Sequence, residues 1–144
     1  MEHLSPLHSR LSSVVVTTPQ AVALSDAIKC ISFTRTVSLP VLGVIENMSG
    51  FVCPCCGEVS NIFSTGGGEE LARREGLEFL GSMPVDTDLV TLLDAAERTR
   101  DDGAEERSMN GATFDVLNQY MKTSSWPLFK EIASKVISSA SQTL

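Results

Sequence analysis

A chain of 144 residues, 42% hydrophobic and 20% charged with a mean hydropathy of +0.10, has the size and composition of one globular domain able to bury a real core. Its net charge of -7 argues against a general nucleic-acid binder, which carries a basic stripe. No apolar run approaches the ~20 residues needed to cross a bilayer, so no membrane partner is expected. The opening Met1-Glu2-His3-Leu4-Ser5-Pro6 lacks the basic and apolar regions of a secretory signal, so a cytoplasmic, reducing setting is expected. Four cysteines in that setting read as thiols or metal ligands rather than a disulfide framework.

Residues 1–12 carry no clear pattern and read as an atypical lead-in. Ser13-Val14-Val15-Val16-Thr17-Thr18 is a continuous β-branched run, as in a strand buried on both faces of a parallel sheet. Pro19 ends it, and from Gln20 to about Val37 the spacing is helical, with Leu24, Ile28 and Ile31 on one face. Cys30 lies in this helix and reads as a small buried hydrophobe. Pro40 to Ile45 is the next strand, which completes a βαβ unit expected to cross over right-handed. The strand runs into Glu46-Asn47-Met48-Ser49-Gly50, a polar turn closed by glycine, and then into Cys53-Pro54-Cys55-Cys56.

Beyond the cysteines, Thr65-Gly66-Gly67-Gly68 leads into a short helix from Glu69 to Glu75. Its acids come early and Arg73-Arg74 late, as the helix dipole prefers, and Gly76 is a natural stop. Leu77 to Ser82 is a third strand, closing at Met83-Pro84-Val85-Asp86, and Thr87 or Asp88 is expected to cap a helix from Leu89 to about Glu97. The span 94–125 is charge-rich and then polar, and reads as an irregular insertion or loop. Trp126-Pro127 starts a last amphipathic helix with Phe129, Ile132, Ala133, Val136 and Ala140 on one stripe. Alternating β and α elements predict an α/β fold with a parallel sheet.

Two thiolates at C-x-x-C spacing, Cys53 and Cys56, grip one metal or one edge of an iron–sulfur cluster. A full site wants four soft ligands, and the economical completion is a dimer in which each chain supplies a pair. Zinc and iron–sulfur are not separated by spacing alone. Three exposed thiols in one loop are a chemical liability unless used, which disfavours an inert turn. The three glycines before a helix invite a phosphate-cradle reading. No Gly-Lys pair occurs anywhere in the chain, however, so a flexible lead into the helix is the favoured reading. Asn47 and Pro84 each follow a strand, where a base could bind; taken alone, each is ordinary turn chemistry.

Four ordered stretches carry a resemblance: Val14-Val15-Val16-Thr17-Thr18-Pro19-Gln20, Gly43 through Pro54, Gly66-Gly67-Gly68-Glu69-Glu70-Leu71-Ala72, and Phe79-Leu80-Gly81-Ser82-Met83-Pro84-Val85-Asp86. Together they closely resemble the Mrp/Nbp class of P-loop NTPases, scaffolds for cytosolic iron–sulfur cluster assembly, and most of all their smaller CFD-type subunit. The resemblance implies a dimeric scaffold and carrier holding a labile, bridging 4Fe–4S cluster through Cys53 and Cys56, with Cys55 a substitute ligand at most. It also implies ATP and Mg in the full-length parent, with Asn47 and the turn around Pro84 forming the adenine pocket. The implied partners are a second copy or the larger Nbp-type subunit, and the apoproteins that accept the cluster.

The resemblance covers roughly residues 13–93, and weakly the final helix. The family's Walker A loop, switch segments and Mg-binding aspartate precede the Val-Val-Val-Thr-Thr strand, and residues 1–12 do not contain them. The expectation is therefore the C-terminal half of such a protein, with 13–144 a partial P-loop NTPase domain. ATP hydrolysis by this chain alone is then not expected, and the sheet should show an open edge. The cysteine site is local to one loop and survives the loss. Two other readings stand beside this one: a MinD-like remnant that holds structural zinc and acts by binding proteins, and a non-functional truncation.

Overall fold

The computed structural model describes residues 11–52, 59–60, 64–101 and 109–143. Its elements in chain order are β1 (Ser13–Thr17), α1 (Ala21–Thr36), β2 (Val41–Glu46), β3 (Phe51–Val52), β4 (Val59–Ser60), α2 (Gly67–Glu75), β5 (Phe79–Ser82), α3 (Thr87–Asp101), α4 (Met109–Tyr120) and α5 (Trp126–Thr143). Strands β1, β2 and β5 form a parallel sheet in that order, with Val15 beside Val44 and Thr17 beside Glu46. The two short strands β3 and β4 pair antiparallel on their own, Phe51 with Ser60 and Val52 with Val59. The α/β parallel-sheet expectation holds, and the three main strands lie within a residue or two of where the sequence pattern placed them.

The strand order advances in one direction, so crossovers of the same hand, which is right-handed as a rule, put α1 and α2 on the same face, where they touch each other. The core sits between that face and the helices: Val15 and Val44 from adjacent strands meet Ala27 and Ile31 of α1 and Leu71 and Ala72 of α2. Leu24 and Ile28 pack against this cluster, as their helical spacing predicted. Ile31 is fully buried, which stabilises the fold by about 1.5–3 kcal/mol relative to an exposed side chain. Gly43 is dictated by space: a Cβ there would lie 2.5 Å from the Glu78 carbonyl oxygen and 2.7 Å from Leu80 Cγ. Helix α2 stops as expected at Gly76, whose φ of 66° is the left-handed conformation that glycine tolerates. Arg35, at the end of α1, donates to both the Glu75 carboxylate (2.8 Å) and the Glu75 carbonyl (2.9 Å). That bond holds the Glu75 carboxyl below the usual glutamate range.

Two expectations are corrected. Cys30 is exposed rather than buried, because it falls on the flank of α1 away from the stripe that carries Ala27 and Ile31. Among the described residues of the span 94–125, the end of α3 and all of α4 are helical rather than irregular. Ala95, Ala96, Glu97 and Arg98 are good helix formers, so high charge there prolongs a helix rather than ending one. The structure divides into two compact units: the described residues up to Val85 with those from Leu128 on, and Asp86–Pro127. Within the second, α3 packs on α4, and the cap of α3 is Asp86 rather than Thr87 or Asp88, its Oδ1 accepting the Leu89 N–H at 2.9 Å. The other Asp86 oxygen accepts from the buried Ser125 hydroxyl, beside Tyr120, whose ring meets Trp126 edge to face at 5.8 Å. In the first unit, Ile132 is the buried residue of the expected α5 stripe. It packs where Gly81 has no side chain: a Cβ there would sit 2.8 Å from Ile132 Cγ1.

Candidate functional site

Because β1, β2 and β5 are parallel, their C-terminal ends gather at one edge, the usual place for a ligand in an open α/β sheet. Two positions selected from the sequence follow those ends, Asn47 after β2 and Pro84 after β5, and Thr18 follows β1. The pairing continues past the strands. Asn47 N–H donates to the Thr17 carbonyl at 2.7 Å, Met83 N–H to Glu46 at 2.8 Å, and Ser49 N–H to Met83 at 2.9 Å. Val85 N–H closes on the Gly50 carbonyl at 2.8 Å, next to a single parallel bridge between Phe51 and Val85. The turn after β2 and the turn after β5 therefore run side by side, which brings Asn47 and Pro84 onto neighbouring turns. Asn47 is exposed, and its Oδ1 accepts the Met48 N–H at 2.9 Å, so its side-chain amide N–H groups lie at the surface of the turn. Met48 takes a φ of 58° and Gly50 one of 86°, the sharp backbone that lets this turn double back.

The residue that organises this edge is one the sequence reading left inside a polar turn. Glu46 is the last residue of β2 and is 1% exposed. Its Oε1 accepts the Ser49 hydroxyl at 2.5 Å and the Gly66 N–H at 3.0 Å; its Oε2 accepts the Gly68 N–H at 2.5 Å. Burying a carboxylate costs several kcal/mol unless its oxygens are met by donors. Here each oxygen is met, two of the three donors are backbone amides at the start of α2, and the helix dipole favours a negative charge at that end. The anion position of α2 is thus filled by the protein's own carboxylate rather than a phosphate.

This also corrects the reading of the three glycines as a flexible lead. A Cβ at Gly68 would lie 2.9 Å from Glu46 Cβ, and one at Gly67 would lie 2.8 Å from Leu24 Cδ1 and 3.0 Å from the Pro19 carbonyl oxygen. Both are glycine because the first turn of α2 is pressed against β2 and the start of α1. The available signal was an acid at the end of an otherwise apolar strand, followed by a glycine-opened helix.

Alongside β1 and α1 runs a cavity of about 520 Å³. Val14, Ala23 and Ala27 give it apolar walls, and Asp26, Cys30 and Thr34 line it with polar groups. It reaches Thr17, Thr18 and Asn47 at the strand tips. Val16, on the unpaired side of β1, is 59% exposed. Among the described residues, no strand pairs with the other side of β1. Cys53, Cys55 and Cys56 lie outside the described residues; the backbone on either side of them is placed, because Val52 pairs with Val59.

The family model described as ParA, NUBPL iron-transfer P-loop NTPase, matches residues 3–121. The chain belongs to this family. Among the relatives of the NUBPL-type chain, the cytosolic Fe-S cluster assembly factor NUBP2 of Bos taurus is 44% identical over 131 residues, covering 91% of this chain and 42% of that protein. The cytosolic Fe-S cluster assembly factor CFD1 of Mycosarcoma maydis is 56% identical over 86 residues, covering 60% and 24%. A solved structure of a nucleotide-binding protein in complex with ADP, from Archaeoglobus fulgidus, superposes with a TM-score of 0.52 at 39% identity, covering 58% of this chain and 35% of that one. The chain spans less than half the length of these relatives. The relatives named here as assembly factors are called cytosolic, and no described helix is long and apolar enough to cross a membrane.

Proposed function

We propose that this chain is the cluster-bearing portion of a scaffold and carrier in cytosolic iron–sulfur cluster assembly. Cys53 and Cys56 supply two thiolates to a 4Fe–4S cluster that bridges two protomers, either two copies or this chain and a larger Nbp-type subunit. Cys55 is a substitute ligand at most. The observation that supports the reading most is the β3–β4 pair, Phe51 with Ser60 and Val52 with Val59, which joins the chain on either side of the C-x-x-C. The donor set suits the cargo: thiolates are the soft ligands such clusters take. A cluster held by only two thiolates from each chain could pass to an acceptor apoprotein by ligand exchange.

Nucleotide fits this chain in part. Asn47 and Pro84 are read as the residues that meet the adenine, a reading supported by the hydrogen bonds that run their two turns side by side. A triphosphate needs a lysine and a backbone nest, and α2's first amides are committed to Glu46. ATP and Mg binding is therefore not proposed for these residues alone. The same dimer would form in the cytoplasm, with no nucleic-acid or membrane partner.

The test is anaerobic reconstitution with iron and sulfide, reading visible absorbance and iron per chain for the wild type and for Cys53→Ala/Cys56→Ala. One cluster per two chains, lost in the double variant, is the expected result. Tightly held zinc at one metal per two chains, with no cluster formed, would replace this reading with a structural zinc site.

A further inference from the structure

We infer that Glu46 is a positioning residue for the cysteine-bearing segment, fastening both of its ends to one buried carboxylate; this rests on the reading of Cys53 and Cys56 as cluster ligands. The ends are Ser49, just before β3, and Gly66, just before α2. The same Glu46 oxygen accepts from both, at 2.5 and 3.0 Å, while the second oxygen holds Gly68 in the first turn of α2. Inside this fastening lies another, the antiparallel pairing of Phe51 with Ser60 and Val52 with Val59. Phe51 is in turn bridged to Val85 beyond β5. The Ser49 end is also held by backbone bonds to the turn after β5, but the direct tie between Ser49 and Gly66 runs through the Glu46 side chain.

An ordinary cap does not account for this arrangement. Helix N-caps come from the residue at the helix start, and that residue here is Gly66, which has no side chain to offer. The carboxylate arrives from 20 to 22 residues upstream, at the end of a core strand that is itself hydrogen-bonded on both sides. Position is thereby transmitted from the sheet to the described residues on either side of the segment, Ser49 and Gly66. A thiolate pair binds a cluster well only when its spacing is held, so the support that sets ligand placement affects retention beyond its effect on overall stability. Glu46 also adjoins Asn47, whose N–H is bonded to β1, so one strand end serves the base-facing turn and the cysteine segment together.

Glutamine is the discriminating substitution. It preserves shape but turns one of the two acceptor oxygens into an amide donor, which then faces an N–H or the Ser49 hydroxyl. The experiment compares the full chain as wild type, Glu46→Gln, Ser49→Ala, Cys53→Ala/Cys56→Ala and Ile31→Val. The last is a core change that weakens the fold without touching the segment. Each is reconstituted anaerobically, and loss of the cluster to a chelator is timed at a temperature where circular dichroism shows every apo chain folded. Loss from Glu46→Gln is expected to be faster by about 10-fold or more, the usual effect of removing a ligand's support. Ser49→Ala should change it less but in the same direction, and Ile31→Val should leave it at the wild-type rate.

Wild-type retention in Glu46→Gln and Ser49→Ala overturns the positioning role alone, and so does equal acceleration in Ile31→Val. If Glu46→Gln does not fold, Ser49→Ala decides. A wild type that takes up no cluster, or a double cysteine variant that keeps one, overturns the cluster reading and the positioning role with it. Amide hydrogen exchange of the apo wild type reads the fastening directly: Gly66 and Gly68 should exchange slowly, and rapid exchange at both overturns the inference without bearing on the cysteines.

Discussion

Replacing Gly68 with alanine should destabilise the chain although it places a better helix former in a helix. Alanine in a helix interior gains up to about 1 kcal/mol over glycine. At this position the added Cβ would sit 2.9 Å from Glu46 Cβ and 3.2 Å from Glu46 Oε2. Overpacking of this kind costs about 1–3 kcal/mol. Pushing the carboxylate away also weakens a hydrogen bond to a charged group, worth about 1.5–3 kcal/mol when made well. The balance is a net loss of about 2–4 kcal/mol, since the steric and hydrogen-bond losses partly overlap. Gly66→Ala is the matched control: nothing lies within 4 Å of its Cβ position, but its φ is +83°. Its loss should be only the left-handed penalty, about 1–2 kcal/mol. Urea unfolding followed by circular dichroism separates the two. With a slope of about 1–3 kcal/mol per molar, Gly68→Ala should lower the midpoint by about 1–2 M and Gly66→Ala by roughly half as much. A Gly68→Ala midpoint at or above wild type would refute the packing argument and leave the glycines as mere helix openers.

Ile31→Ala should lower stability by about 2–5 kcal/mol in the same assay, because a fully buried side chain between β1, β2 and α2 leaves a cavity that the strands cannot close. The Arg35–Glu75 contact should show in the acid limb of a stability-against-pH profile. Its bonding lowers the Glu75 pKa on folding, so its contribution is complete above the ordinary glutamate range and is lost as pH falls through the lowered folded value. Arg35→Ala should flatten that limb by slightly lowering stability near neutral pH, where the pair contributes, while leaving stability in acid unchanged; the loss is small because the Arg35 side of the pair is solvent-exposed. Cys30 should react with a maleimide in the folded chain as fast as in urea, as read by mass spectrometry of Cys53→Ala/Cys55→Ala/Cys56→Ala, because it is exposed beside the cavity. Protection of Cys30 in the folded monomer would place another surface over the open edge of β1.

The sequence by itself determined the elements and their order. β-Branched runs at Val14-Val15-Val16 and Val44-Ile45, helical spacing at Leu24, Ile28 and Ile31, and a glycine stop at Gly76 are local signals, set by backbone sterics and periodic burial. The C-x-x-C and the family motifs were legible for the same reason, since they are contiguous. Charge misled at 94–125, where helix formers outweighed polarity, and Cys30 was misplaced because one position around a helix separates a buried flank from an exposed one.

Only the tertiary structure decided what Glu46 is. In sequence it is an acid before Asn47, indistinguishable from turn chemistry; in the fold it is a buried carboxylate held by amides 20 and 22 residues away. The partners of a buried charge are chosen by which chain ends the sheet brings together, and no local pattern encodes that. The same holds for Gly67 and Gly68, whose lack of a side chain matters because Leu24, Pro19 and Glu46 occupy the space a Cβ would need.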